Sequence, residues 1–172
     1  IQGLGATAVW LAPVFKNKPV QSHGGYTGAA HHGYWITDFT AVDPHFGDEA
    51  AMRALVEAAH ARGMKVYLDI VANHTADVIQ YRECPKGRCA YRSRADYPYT
   101  RRGGVDGAPI NEGFDGRDFS RLTRADYAYT PYVPAGEENA KVPAWLNDPI
   151  HYHNRGESTF TGESSLDGDF AG

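Results

Sequence analysis

The chain has 172 residues, 17 of them basic and 21 acidic, for a formal net charge of −4 with both signs interspersed. That balance argues against a nucleic-acid surface, which needs a clustered basic face. Hydrophobic residues make up 42% and aromatic residues 12%, including 11 Tyr, so the chain is globular rather than disordered. No stretch approaches the ~18 consecutive apolar residues of a membrane span.

Both ends read as cut. There is no initiator Met, Ile1 to Gly5 resembles the tail of a helix already under way, and Gly168 to Gly172 stops in loop composition. The expectation is a fragment, and the lack of a visible signal peptide then says nothing about export.

Taken in order, Thr7 to Ala12 is a short apolar run with β-branched and aromatic members, ended by Pro13. It predicts a buried strand. Residues 13 to 47 are punctuated by Gly, Pro and His-Gly and show little periodicity, a length of connection that is unusual unless functional. Asp48 is a good N-cap, and Met52, Leu55, Val56 and Ala59 recur on one helical face. Gly63 fits the left-handed position that stops a helix. Residues 64 to 72 predict the next strand, with Val66, Tyr67 and Leu68 buried. Strand, helix, strand makes a βαβ unit with parallel strands and a right-handed crossover.

At the end of that second strand stand Asp69, Asn73 and His74. A carboxylate interrupting an apolar strand must find partners or open onto a site, and α/β sheets place their ligands at the carboxyl ends of strands. The plainer alternative is that Asp69 satisfies loop amides and His74 merely packs.

Beyond His74 the chain is rich in Tyr, Pro, Gly, Asp and Arg, with short strand-like stretches and no convincing amphipathic helix. It holds a near-repeat, RADYPYT at 94–100 and RADYAYT at 124–130. Two copies are too few for a solenoid, and we attach no function to them. Cys84 and Cys89 bracket Pro-Lys-Gly-Arg, a spacing that suits a small disulfide loop in a secreted protein. Two free thiols, or half of a zinc site, are the alternatives. His31-His32 and His151-x-His153 have some metal-like texture but lack an evident carboxylate or thiolate set.

The stretch from Asp69 to His74, DIVANH, resembles the first of the short motifs of the α-amylase superfamily, (β/α)8-barrel glycoside hydrolases acting on α-glucans. GATAVWLAPVF at 5–15 resembles the family's second barrel strand. His32-Gly-Tyr-Trp35, followed by Asp38-Phe39, resembles its substrate-side loop. The resemblance implies an α/β fold. Residues 1–74 would be part of the catalytic TIM barrel, strands 2 and 3 with their crossover helix. Residues 75–172 would be the irregular β-rich excursion, domain B, that covers the cleft. A whole barrel of this kind takes roughly 250 residues.

It also implies roles. Tyr34 would stack its ring on the sugar beside the scissile bond. His74 would bind the hydroxyls of the sugar being cleaved as it distorts toward an oxocarbenium-like state. Asn73 would give its amide oxygen to a structural Ca²⁺, which needs six to eight oxygens; Asp167 and Asp169 lie near where the family's other ligand motif falls. Asp69 and Trp35 would be structural. The nucleophile, acid/base and assisting Asp would lie downstream, so no catalytic residue is assigned here and the fragment alone is expected to be inactive. The partner would be an α-glucan or oligosaccharide, not nucleic acid, and the parent an exported retaining glycosidase. The alternative is a non-catalytic relative of the same fold, kept for glucan binding or protein interaction.

Overall fold

The computed structural model describes residues 1–23, 26–85 and 89–156. Eight short strands run through them in chain order: β1 (Ala8–Leu11), β2 (Phe15–Asn17), β3 (Val20–His23), β4 (Tyr26–Ala29), β5 (Ile36–Val42), β6 (Lys65–Leu68), β7 (Gln80–Tyr81) and β8 (Pro131–Tyr132). The α-helix α1 (Glu49–His60) lies between β5 and β6. The described residues fold as two compact units, one within 1–22, 27–77 and 140–143, the other within 23, 26, 78–85, 89–139 and 144–156.

In the first unit, β1 and β6 pair in parallel, Ala8 opposite Lys65 through Leu11 opposite Leu68. The helix between them follows its local signals. Asp48 accepts the Ala51 N–H at 2.8 Å as N-cap. At the other end Gly63 takes φ +70°. Its N–H bonds His60 O at 2.9 Å while the Met64 N–H bonds Ala59 O at 3.0 Å. These two bonds are the Schellman pair that a left-handed glycine permits. Ala59 and Met64 are buried, Met52 and Val56 are half-buried, and Leu55 is exposed, so the inward stripe is narrower than its apolar spacing suggests.

Two expectations are corrected. The second strand, expected over 64–72, ends at Leu68. The Asp69 N–H still bonds Leu11 O at 2.9 Å, and the chain then leaves the ladder. Nor are the strands buried: Trp10 is 74% exposed and Tyr67 52%. Among the described residues β1 and β6 find only each other as sheet partners, and two strands backed by one helix cannot cover their own apolar faces.

The 13–47 connection is largely strand. β2 and β5 pair antiparallel with irregular register, Phe15 opposite Val42 and Asn17 opposite Ile36, and β3 pairs with β4. Ile36 and Pro13 are fully buried. Val142 bridges the other edge of β5, taking the Phe39 N–H on its carbonyl and donating its own N–H to Thr37 O.

The second unit has little regular structure, β7 paired antiparallel with β8 and a few 3₁₀ turns. Its core is aromatic, with Tyr99, Ile110, Phe114, Leu122, Tyr127 and Ala128 in one buried cluster. The near-repeat builds part of it. Arg92 lies over Tyr97 and Tyr129, and Arg155 lies over Tyr99 and Tyr127. Each arginine thus meets the earlier tyrosine of one copy and the later tyrosine of the other. Cys84 and Cys89 are joined by a disulfide, with Cα atoms 5.8 Å apart.

Candidate functional site

The site begins with a turn. Gly33 has φ +85° and lies against the Pro13 carbonyl, into which any Cβ would project. Only glycine fits both the conformation and the space. The turn delivers Tyr34, whose N–H donates to His32 Nδ1 at 3.0 Å. An imidazole nitrogen that accepts cannot carry a proton, so His32 is neutral there with its hydrogen on Nε2. Burial, then the neighbouring His31, push the His32 pKa below its ordinary value.

Tyr34 is next tied to the end of β6. Its hydroxyl donates to Asp69 Oδ2 at 2.9 Å. That hydrogen bond, then burial and then the carboxylate's charge raise the tyrosine's pKa. His74 Nε2 stands 3.1 Å from Tyr34 O, and since a carbonyl only accepts, this nitrogen carries the proton. Tyr34 is therefore held at its N–H, its carbonyl and its hydroxyl. Its side remains 38% exposed.

The residue after it is anchored from below. The Trp35 N–H donates to Asn17 Oδ1 at 2.7 Å. Asn17 is buried, gives its side-chain amide to Phe15 O at 2.7 Å, and gives its own N–H to Asp43 Oδ2 at 2.9 Å. Asp43 also takes the N–H and the Nδ1 of His45 on Oδ1, at 2.9 and 2.6 Å. Burial alone would raise the Asp43 pKa, but these bonds and the His45 charge more than offset it and leave the carboxyl low. The Trp35 ring stands edge-on to His32, centroids 4.7 Å apart.

Three of the residues singled out in the sequence, Tyr34, Asp69 and His74, thus meet beyond the carboxyl end of β6, while Trp35 is held beside them by Asn17 and His32. Asn73 is exposed on the same turn, and its side chain meets no hydrogen-bond partner among the described residues. Asp167 and Asp169 lie outside the described residues. Among these no group of three or more His, Cys, Asp or Glu could hold a metal, and no helix is long and apolar enough to cross a membrane. Asn17, Asp43 and the hydrogen-bonding role of His32 were not read from sequence. The His-Gly-Tyr-Trp string gave a signal for His32, whereas nothing marked Asn17, 18 residues before the N–H that it holds.

A parallel crossover with an Asp, a His and a held, half-open Tyr beyond one strand end defines an α/β protein whose candidate site stands where that architecture puts sites. The chain belongs to the α-amylase family: residues 1–118 match the model of the α-amylase catalytic domain. The α-amylase of Streptomyces lividans is 50% identical over 175 residues, covering 100% of this chain and 18% of that protein. A cyclomaltodextrin glucanotransferase of a Bacillus species is 30% identical over 154 residues, 87% of this chain and 21% of that protein. The crystal structure of the α-amylase of Geobacillus thermoleovorans with acarbose is 34% identical, covers 81% of this chain and 25% of that one, and superposes with a TM-score of 0.39. The chain spans about a fifth of the length of the relatives it matches.

Proposed function

We propose that the chain is the part of a retaining α-glycosidase that grips the sugar at the site of cleavage, acting on α-linked glucans or oligosaccharides. The observation that carries this reading is the fixation of Tyr34 by Asp69 and His74. A half-open aromatic ring held at its hydroxyl, on a residue whose N–H and carbonyl are also held, is a preorganised stacking surface for the apolar face of a glucose unit. His74, on the same turn as Asn73, is placed to meet that unit's hydroxyls. A relative's name as α-amylase, with 50% identity along the whole chain, supports the substrate class.

In this reading unit one is a portion of the (β/α)8 barrel and unit two is the domain B excursion. The nucleophile and the acid/base are not residues of this chain, so the chain alone releases no sugar. Asp69 acts by orienting Tyr34 rather than by attacking or protonating the substrate. Asn73 is offered as one Ca²⁺ ligand through its exposed amide oxygen. It supplies one of the six to eight oxygens that the ion takes, and no step of the reaction is routed through the metal. The disulfide suits an exported parent.

The test is kinetic. In the full-length protein, Tyr34→Ala and His74→Ala should each lower kcat/KM on a maltooligosaccharide at least about tenfold, some 1.4 kcal/mol of transition-state stabilisation. Unchanged kinetics in both would end the reading. So would reducing sugar released from starch by the purified 172-residue chain.

A further inference from the structure

A cavity of about 390 Å³ opens in the second unit, and none of the residues discussed above as sugar contacts lines it. Its floor is Tyr99 and Tyr127, one from each copy of the near-repeat, both buried. Phe119 forms one wall, its ring 50% exposed and edge-on to Tyr99 at 5.0 Å. Ser120 and His151, both exposed, and half-buried His153 also line the cavity. Tyr99 Oη and His153 Nδ1 are 2.8 Å apart, which fixes the His153 ring. The His151 ring nitrogens have no hydrogen-bond partner among the described residues.

The volume falls within the range of small-ligand pockets. The chemistry narrows the occupant further. No Lys, Arg, Asp or Glu lines the cavity, so nothing in it would repay the desolvation of a charged ligand. An aromatic floor and a half-open ring favour an apolar ring face. Hydroxyl and imidazole groups in the lining, each able to donate or accept, favour a ligand edged with hydroxyls. One chemistry combines a neutral charge, an apolar face and a hydroxyl edge. The geometry points to a second carbohydrate site in this cavity, taking one or two pyranose units, with Phe119 as stacking platform and Ser120 and His151 as hydroxyl contacts.

This goes beyond the role proposed for Tyr34 and does not depend on it. It gives the excursion a hold on glucan of its own, so that a long chain would be retained at two points and gain from effective concentration.

The experiment is a titration of the 172-residue chain with maltotriose, followed through the ring signals of His74, His151 and His153 by NMR. Saturable shifts of His151 and His153 are expected, weakened at least tenfold in Phe119→Ala and in His151→Ala and unchanged in Tyr34→Ala. His151 is exposed, so its variant keeps the test valid if loss of Phe119 loosens the aromatic core. Shifts at His151 and His153 without any at His74 would support the second site while counting against the Tyr34 reading alone. No saturable shift at His151 and His153 would overturn the second site. So would equal binding in all three variants, or saturation by hexanol but not by maltotriose.

Discussion

The Tyr34 hydroxyl donates to Asp69 Oδ2 at 2.9 Å, across 35 residues of chain. This bond ties the loop of residues 32–35 to the end of β6, and it leaves a titration signature. Its hydrogen-bonded form is the protonated phenol, so the folded-state pKa lies above the ordinary 10.0. The stabilisation is then complete below pH 10.0 and fades as pH rises through the higher folded value. Asp69→Ala should bring the Tyr34 titration, followed by tyrosinate absorbance against a Tyr34→Phe reference, back down toward 10.0. A Tyr34 midpoint indifferent to Asp69 would refute the bond.

His32 gives the opposite sign. Its Nδ1 accepts the Tyr34 N–H, so the fold favours neutral imidazole and the pKa is lowered from 6.5 by burial first and His31 second. The bond contributes above pH 6.5 and is lost as pH falls through the lower folded value. Histidine NMR should show the His32 midpoint below 6.5, with His31→Ala raising it part of the way. In the full-length protein, protonation of His32 should loosen Tyr34 and weaken sugar binding on the acid side. A His32 midpoint above 6.5 would falsify this account.

Gly33→Ala tests the turn. The substitution meets a left-handed φ and, at the same time, the Pro13 carbonyl. Strain and overpacking each cost about 1–3 kcal/mol, so urea unfolding should show a loss of about 2–4 kcal/mol. The same change at Gly3, where an added Cβ meets nothing within 4 Å, should cost little. Equal effects at the two positions would mean that the turn is not held as described.

Asn17→Ala tests the anchor. It removes the acceptor from the Trp35 N–H and leaves a donor without its partner in a half-buried place. The cost of such a stranded group is about 1–3 kcal/mol. Since the anchor holds the residue after Tyr34, the Tyr34 titration should also move toward 10.0. Loss of stability with the Tyr34 titration unmoved would make Asn17 a packing residue only.

What was legible depended on how local each signal is. Asp48 and Gly63 each announce a helix end within a few residues, and both stand where the spacing put them. The parallel pairing of β1 and β6 followed from the helix between them. The burial of Trp10 and Tyr67 was misread because apolar composition reports what a side chain favours, while exposure depends on which elements are there to cover it. β2 and β5 were missed because their register is broken by irregularities and their faces do not alternate. Asn17 and Asp43 carry no motif, since a buried polar residue that holds a distant N–H is defined by tertiary contact alone. The near-repeat was visible, yet nothing in its two copies specified that their tyrosines would pair on two arginines.

That pairing supports the last prediction. Arg155 is 1% exposed, with its guanidinium 4.2 Å from the Tyr99 ring centre and 5.4 Å from that of Tyr127. Its Nη1 donates to Tyr97 O at 2.8 Å and to Arg92 O at 3.0 Å. A planar, delocalised cation can lie against two rings that themselves meet edge-on, centroids 4.6 Å apart, while its N–H groups reach carbonyls. A lysine ammonium is a strongly hydrated point charge and cannot do both. Arg155→Lys should therefore destabilise the second unit by about 2–4 kcal/mol in urea unfolding, read from near-ultraviolet circular dichroism of its tyrosines. Arg92 is only half-buried, and Arg92→Lys should cost about 1 kcal/mol. If the charge alone mattered, both lysine variants would match the wild type. If the two rings need the guanidinium plane, Arg155→Lys should also open the cavity floor at Tyr99 and Tyr127 and weaken maltotriose binding there, while leaving the Tyr34 titration unchanged.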